Sequence, residues 1–153
     1  MKQLPYIQTS TAIIGYSESL IAKNERNDCF VRAVASSFEC PYDTAHEWVK
    51  EKFKRQDGKG TRYVACKLAT MQSEGEKFNN RQVEGIEKLR TYVTATYKMK
   101  RTTLNQFIKK YPTGTYIIIV RGHAFTLKDG AVIGNTEDAK SIKKVVHDAF
   151  KII

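Results

Sequence analysis

The segment TYIIIVRGHAFTLKDGAVIGN, residues 115–135, decides the fold. Its first part, TYIIIV, is a short apolar run rich in β-branched residues. It is far too short to span a membrane, so it predicts a buried strand. HAFTLK and AVIG then alternate on either side of Asp129-Gly130. That dipeptide favours a two-residue hairpin turn, whose central residues both need positive φ. Three antiparallel strands are therefore expected in succession. Just upstream, TTLNQFIKKYP (102–112) predicts a short capped helix with Leu104, Phe107 and Ile108 inward, stopped by Pro112 and Gly114. Just downstream, AKSIKKVVHDAF (139–150) is expected as a last helix, capped by Glu137 or Asp138, with His147 exposed.

Further upstream the pattern is helical. Phe30, Val34 and Phe38 share one stripe and predict a helix over 29–39, ended by Cys40-Pro41. A second helix is expected from Thr44 to Phe53. Thr44 and Glu47 form a capping-box pattern, and Ala45, Trp48, Val49 and Phe53 make the inner face. His46 falls off that stripe and reads as a surface residue. RQDGKGT (55–61) is a basic, glycine-containing loop. TRYVACKLATM (61–71) reads as helix through Val64, Leu68 and Met71, with Cys66 as a packing residue. NNRQVEGIEKLR (79–90) is a weak helix interrupted by Gly85. Within residues 1–22, TAIIGY (11–16) fits either a short strand or a helix start. Helices first, then a helix and a meander, predict one α+β domain over 1–153, with N-terminal helices packed on a C-terminal antiparallel sheet.

The 153 residues suffice for a single core, and a net charge of +10 points to an acidic partner. Nucleic acid is one such partner, with Lys98, Lys100 and Arg101 of YKMKR (97–101) and the KRQDGKG loop (54–60) as the candidate contacts. The alternative is that the charge serves solubility alone. No apolar run suggests a membrane span, and MKQLPYIQTS does not read as a signal peptide, so a cytoplasmic location is expected. Cys29, Cys40 and Cys66 are odd in number and widely and irregularly spaced, which argues against a disulfide framework. His46, His123 and His147 do not join them at zinc spacings. The sequence calls for no metal and no cofactor, and it leaves the oligomeric state open.

One cysteine has a special setting. In NDCFVRAVA (27–35), Cys29 follows two cap-type residues and opens a helix. Unpaired amides and the helix dipole favour a thiolate there, and the same amides can stabilise an oxyanion. A thiolate nucleophile needs an imidazole, and the imidazole needs an orienting acceptor. His123 begins a strand at a sheet end, after Gly122, which would let a helix approach closely. Asn135 ends the next strand, where hairpin pairing returns it towards His123. Its amide oxygen can accept the imidazole N–H. The other reading of Cys29 is a small buried packing residue.

With these residues the chain resembles the papain-like cysteine peptidases: a cysteine at a helix start, intervening helices, then strand–Gly-His–strand–turn–strand–Asn. It is most similar to the compact branch of bacteriocin-leader-processing peptidases and small phage and prophage proteins. The motifs that carry the likeness are confined to 27–35 and 114–136. The resemblance implies Cys29 as nucleophile, His123 as general base and acid, and Asn135 as orienting residue, acting on an amide in a protein. If the chain is phage-encoded, its place is the host cytoplasm. Papain-like enzymes usually carry a glutamine about six residues before the cysteine as an oxyanion donor. Lys23 stands there, with Asn24 next to it as the substitute and Gln8 as a distant alternative. NDCFVRA also resembles the cysteine motif of OTU-type deubiquitinating enzymes, without the Asp-Gly-Asn that precedes it in that family. Peptidase, isopeptidase and deamidase chemistry share the same steps. The rival expectation is a catalytically inactive papain-fold protein that binds a host protein or nucleic acid through its basic surface.

Overall fold

The computed structural model describes residues 4–86, 91–93, 98–134 and 144–153; of 91–93 and 98–100 it describes the backbone. The fold is α+β. Its main sheet has seven strands among the described residues, in the order β1-β8-β7-β6-β9-β3-β2. These are β1 Tyr6–Gln8, β2 Lys77–Phe78, β3 Arg81–Gly85, β6 Thr115–Val120, β7 His123–Lys128, β8 Ala131–Gly134 and β9 Asp148–Ile152. All neighbours pair antiparallel except β1 with β8. Strands β4 Thr91–Val93 and β5 Lys98–Lys100 form a separate two-stranded ribbon.

The central strand explains the layers. On β6, Ile117 packs with the helices of the N-terminal half, and Tyr116, Ile118 and Val120 pack on the opposite face. A strand covered on both faces reads as a continuous apolar run, which is what TYIIIV is. One face carries α3 Cys29–Ser37, α4 Tyr42–Phe53 and α5 Val64–Glu74. Their core includes Phe30, Val34, Phe38, Tyr42, Val49, Leu68 and Met71. The other face carries α6 Leu104–Lys110, through Leu104 and Phe107. Thr103 and Gln106 close the expected cap of α6 as a capping box. Two single-turn helices, α1 Thr9–Ala12 and α2 Leu20–Lys23, precede α3, with Ile13 buried between them.

The β7–β8 turn is as expected: Asp129 and Gly130 have φ of 48° and 80°, the signature of a tight type I′ hairpin. Four expectations are corrected. Residues 79–90 do not open as a helix. Asn79 and Asn80, at φ of 52° and 60°, turn the chain from β2 into β3. The end of the expected last helix is a strand, since β9 inserts between β6 and β3. Its Ala149, Phe150 and Ile152 are buried, and His147 is half-buried with its backbone N–H on the Ile119 carbonyl. The expected caps Glu137 and Asp138 lie outside the described residues. Helix α4 begins at Tyr42 behind Pro41, so Thr44 lies inside it rather than capping it. Pro41 fits because a helix start needs no amide from it. Cys66 is exposed on α5 and does not pack. Among the described residues, no helix is long and apolar enough to cross a membrane.

Candidate active site

Cys29 is the first residue of α3 and is half-buried. Asp28 is the N-cap, yet its side chain makes no capping bond. Its carboxylate instead accepts the Tyr42 hydroxyl at 2.7 Å and pairs with Arg32 Nε at 3.3 Å. The amides of the first turn are therefore left open by the cap residue, while Asp28 anchors the helix start on α4 and on its own next turn. Burial pushes the Tyr42 hydroxyl pKa up, and the Asp28 carboxylate adds to this, so Tyr42 is the donor in that bond.

His123 is held by the hairpin between β6 and β7. Val120 and His123 are register partners, and Gly122 turns the chain at φ of 70°. A Cβ at Gly122 would meet nothing within 4 Å, so glycine serves the turn and not the close helix approach expected of it. The alignment of the helix with the strand has its own device. The Thr126 hydroxyl donates to the Ala33 carbonyl at 2.9 Å and accepts the Ser36 hydroxyl at 2.7 Å. Both groups are buried, one turn and two turns beyond Cys29 on α3 and three residues beyond His123 on β7. This clamp sets the helix start beside the strand start.

Cys29 and His123 line one cavity, and the imidazole acts on the thiol through hydrogen bonding and charge. Burial alone would raise the thiol pKa. The His123 bond, the Ala124 backbone N–H and the positive charges of His123 and Arg32 outweigh it, and the pKa lies below the ordinary thiol range. Cys40 is the opposite case, since burial pushes its thiol up to about 11. Thr9, Ile13, Arg32, Phe125 and Gly134 help line the cavity around the pair. Its free space is ≈10 Å³, about the room one water needs.

The remaining candidates fall in different places. Asn135 lies outside the described residues; Gly134, the residue before it, is on the cavity wall. Asn24 is not brought to the cavity. It caps the end of α2, its amide donates to the Leu20 carbonyl at 2.9 Å, and it faces a separate hollow with Glu25 and His46. Gln8 is exposed at the end of β1, where it is the register partner of Gly134. Lys98 and Lys100 are on β5, and Arg101 follows it exposed.

His46 is corrected from surface to buried. Its Nε2 lies 2.6 Å from Glu25 Oε2, which also takes Arg55 at 2.9 Å. Glu25 Oε1 accepts the backbone N–H of Gly58 at 2.6 Å and of Arg26 at 3.0 Å. Arg55 in turn donates to the Arg26 carbonyl, and Asn27 donates to the Gly58 carbonyl. The loop 55–58 is thus tied to the segment leading into Cys29. Ligand atoms of Glu25, His46 and Asp57 lie within 4.8 Å of one another, as in a cation site. The buried Arg55 guanidinium on the same carboxylate supplies the positive charge instead, so the group fits an ion-pair latch. Helical periodicity missed Glu25, Arg55 and the burial of His46, because the cover comes from a distant loop. Arg32 was legible only as the residue one turn after Cys29.

No family model matches the chain, and neither a curated protein nor a solved structure gives a significant match.

Proposed function

We propose that the chain is a small papain-like cysteine hydrolase that acts on an amide of a protein substrate. The single observation that carries this reading is that Cys29, at the start of a nine-residue helix, shares a cavity with His123, whose imidazole lowers the thiol pKa. In the proposed reaction His123 takes the thiol proton and the Cys29 sulfur attacks the amide carbon. The first-turn amides of α3 face the developing oxyanion. His123 returns its proton to the leaving amine, and water then cleaves the thioester. Asn135 is proposed to orient the imidazole, as the resemblance implies. Peptide cleavage, isopeptide cleavage and deamidation all follow this course.

A second reading has its own support. The cavity has room for about one water, and Asn24 stands away from it as an oxyanion donor. These favour a papain-fold protein that binds a host protein or nucleic acid without catalysis. Iodoacetamide labelling at neutral pH, read by mass spectrometry on the folded protein, tests the nucleophile. Cys66 is exposed and serves as the internal reference. The hydrolase reading expects half-buried Cys29 to label faster than exposed Cys66, and His123→Ala to remove that advantage. Labelling of Cys29 no faster than Cys66 defeats it.

A further inference from the structure

The loop that latches onto Glu25 has a second face. Between the end of α4 and the start of α5 runs an open groove of ≈680 Å³, whose lining includes Lys54, Lys59, Gly60, Arg62, Tyr63 and Lys67. Among the described residues no carboxylate lines it. Asp57, the acid of this loop, is turned to Lys50 and His46 on the other side. Lys54, Lys59 and Arg62 make no ion pair among the described residues, whereas Arg55 is spent on Glu25. Lys67 donates to the Phe53 carbonyl and closes the floor. Thr61 Oγ1, also on the lining, has no hydrogen-bond partner among the described residues.

Tyr63 is the unusual member. It is 74% exposed and makes no ring contact among the described residues. Its backbone is left-handed, at φ of 57°, a strained conformation for a bulky residue. The chain therefore holds a strained turn that presents an aromatic face to solvent among unpaired cations. Packing gains nothing from that arrangement.

We propose that this groove binds single-stranded nucleic acid, with a base stacked on Tyr63 and its phosphates on Lys54, Lys59 and Arg62. An aromatic platform inside a cationic groove is the pattern of sequence-tolerant single-strand binding. Cations alone would serve an acidic peptide equally well. The solvent-facing ring is what favours a base. The site is separate from Cys29, and the proposal stands or falls independently of the hydrolase reading.

Fluorescence anisotropy with labelled oligo-dT and oligo-U tests it. Affinity should fall as salt rises, and Tyr63→Ala should weaken binding about tenfold while Tyr63→Phe retains it. The triple variant Lys54→Glu, Lys59→Glu, Arg62→Glu should abolish binding with the melting curve kept, since all three side chains lie at the surface. Absence of binding to both oligomers at low salt overturns the proposal. So does unaltered binding by Tyr63→Ala, or polyglutamate competing as well as the oligomers. Loss of binding through Arg101→Glu with the Tyr63 variants unaffected moves the contact elsewhere and equally overturns it.

Discussion

At the scale of single residues, the candidate site depends on how two positive groups act on one sulfur. His123 lowers the Cys29 pKa through a hydrogen bond and its charge, and Arg32 lowers it through charge alone, against the burial that would raise it. The two contributions are separable. Arg32→Gln keeps the hydrogen bond and removes one charge, so the midpoint of the pH–alkylation curve of Cys29 should move upward. His123→Ala should move it further, since it removes both the bond and a charge. An unmoved midpoint in Arg32→Gln would show that the guanidinium is not felt at the sulfur. Cys29 and His123 were legible in the sequence because each sits at the start of a regular element, and element starts can be read from caps and turns. His46 was not legible. The helical stripe ranks positions against the sheet, and Glu25 and Arg55 cover His46 from outside that frame.

At the scale of elements, the expectations that held were those carried by local chemistry. Asp129-Gly130 forces its hairpin, and Thr103 with Gln106 caps α6. Two that failed were also local, since Pro41 starts α4 ahead of Thr44 and Asn79-Asn80 turns the chain, but others were decided by partners far along the chain. Residues 148–152 carry a run that reads equally as helix, and only the free edges of β6 and β3 make it a strand. The α3–β7 clamp belongs to the same class. Ser36 and Thr126 are separated by 90 residues, and neither position announces the other. Thr126→Val keeps the shape and removes the hydroxyl that both donates and accepts. It should lower stability by about 1 kcal/mol, the net worth of a buried hydrogen bond, since the Ser36 hydroxyl keeps the Arg32 carbonyl at 2.9 Å. It should also slow the labelling of Cys29, because the clamp sets the helix start beside His123. Urea unfolding and alkylation of the same variant check both effects; an unchanged midpoint and rate would show that apolar packing alone aligns the two elements.

At the scale of the whole molecule, a strongly basic chain holds the Glu25 carboxylate out of solvent against a buried guanidinium. Glu25 would be pushed up by burial, but Arg55, the Arg26 and Gly58 amides and His46 hold its pKa down at about 2, against an ordinary 4.5. A carboxylate depressed in the folded state binds fewer protons there than in the unfolded chain. Its contribution is therefore full above pH 4.5 and is lost as the pH falls towards 2. On acidification the net charge also rises above +10, which adds self-repulsion. Glu25→Gln separates the two effects. At neutral pH it leaves the fully buried Arg55 side chain without its counter-charge and should cost about 3–5 kcal/mol. Between pH 4.5 and 2 it should lose less further stability than the wild type, because the group that titrates there is gone. The two stability curves must converge on acidification. Thermal melts from pH 7 down to 2 test this, and parallel curves would mean that general charge repulsion governs acid unfolding. Convergence together with slower Cys29 labelling in Glu25→Gln at neutral pH would show that the latch also holds the approach to the nucleophile in place.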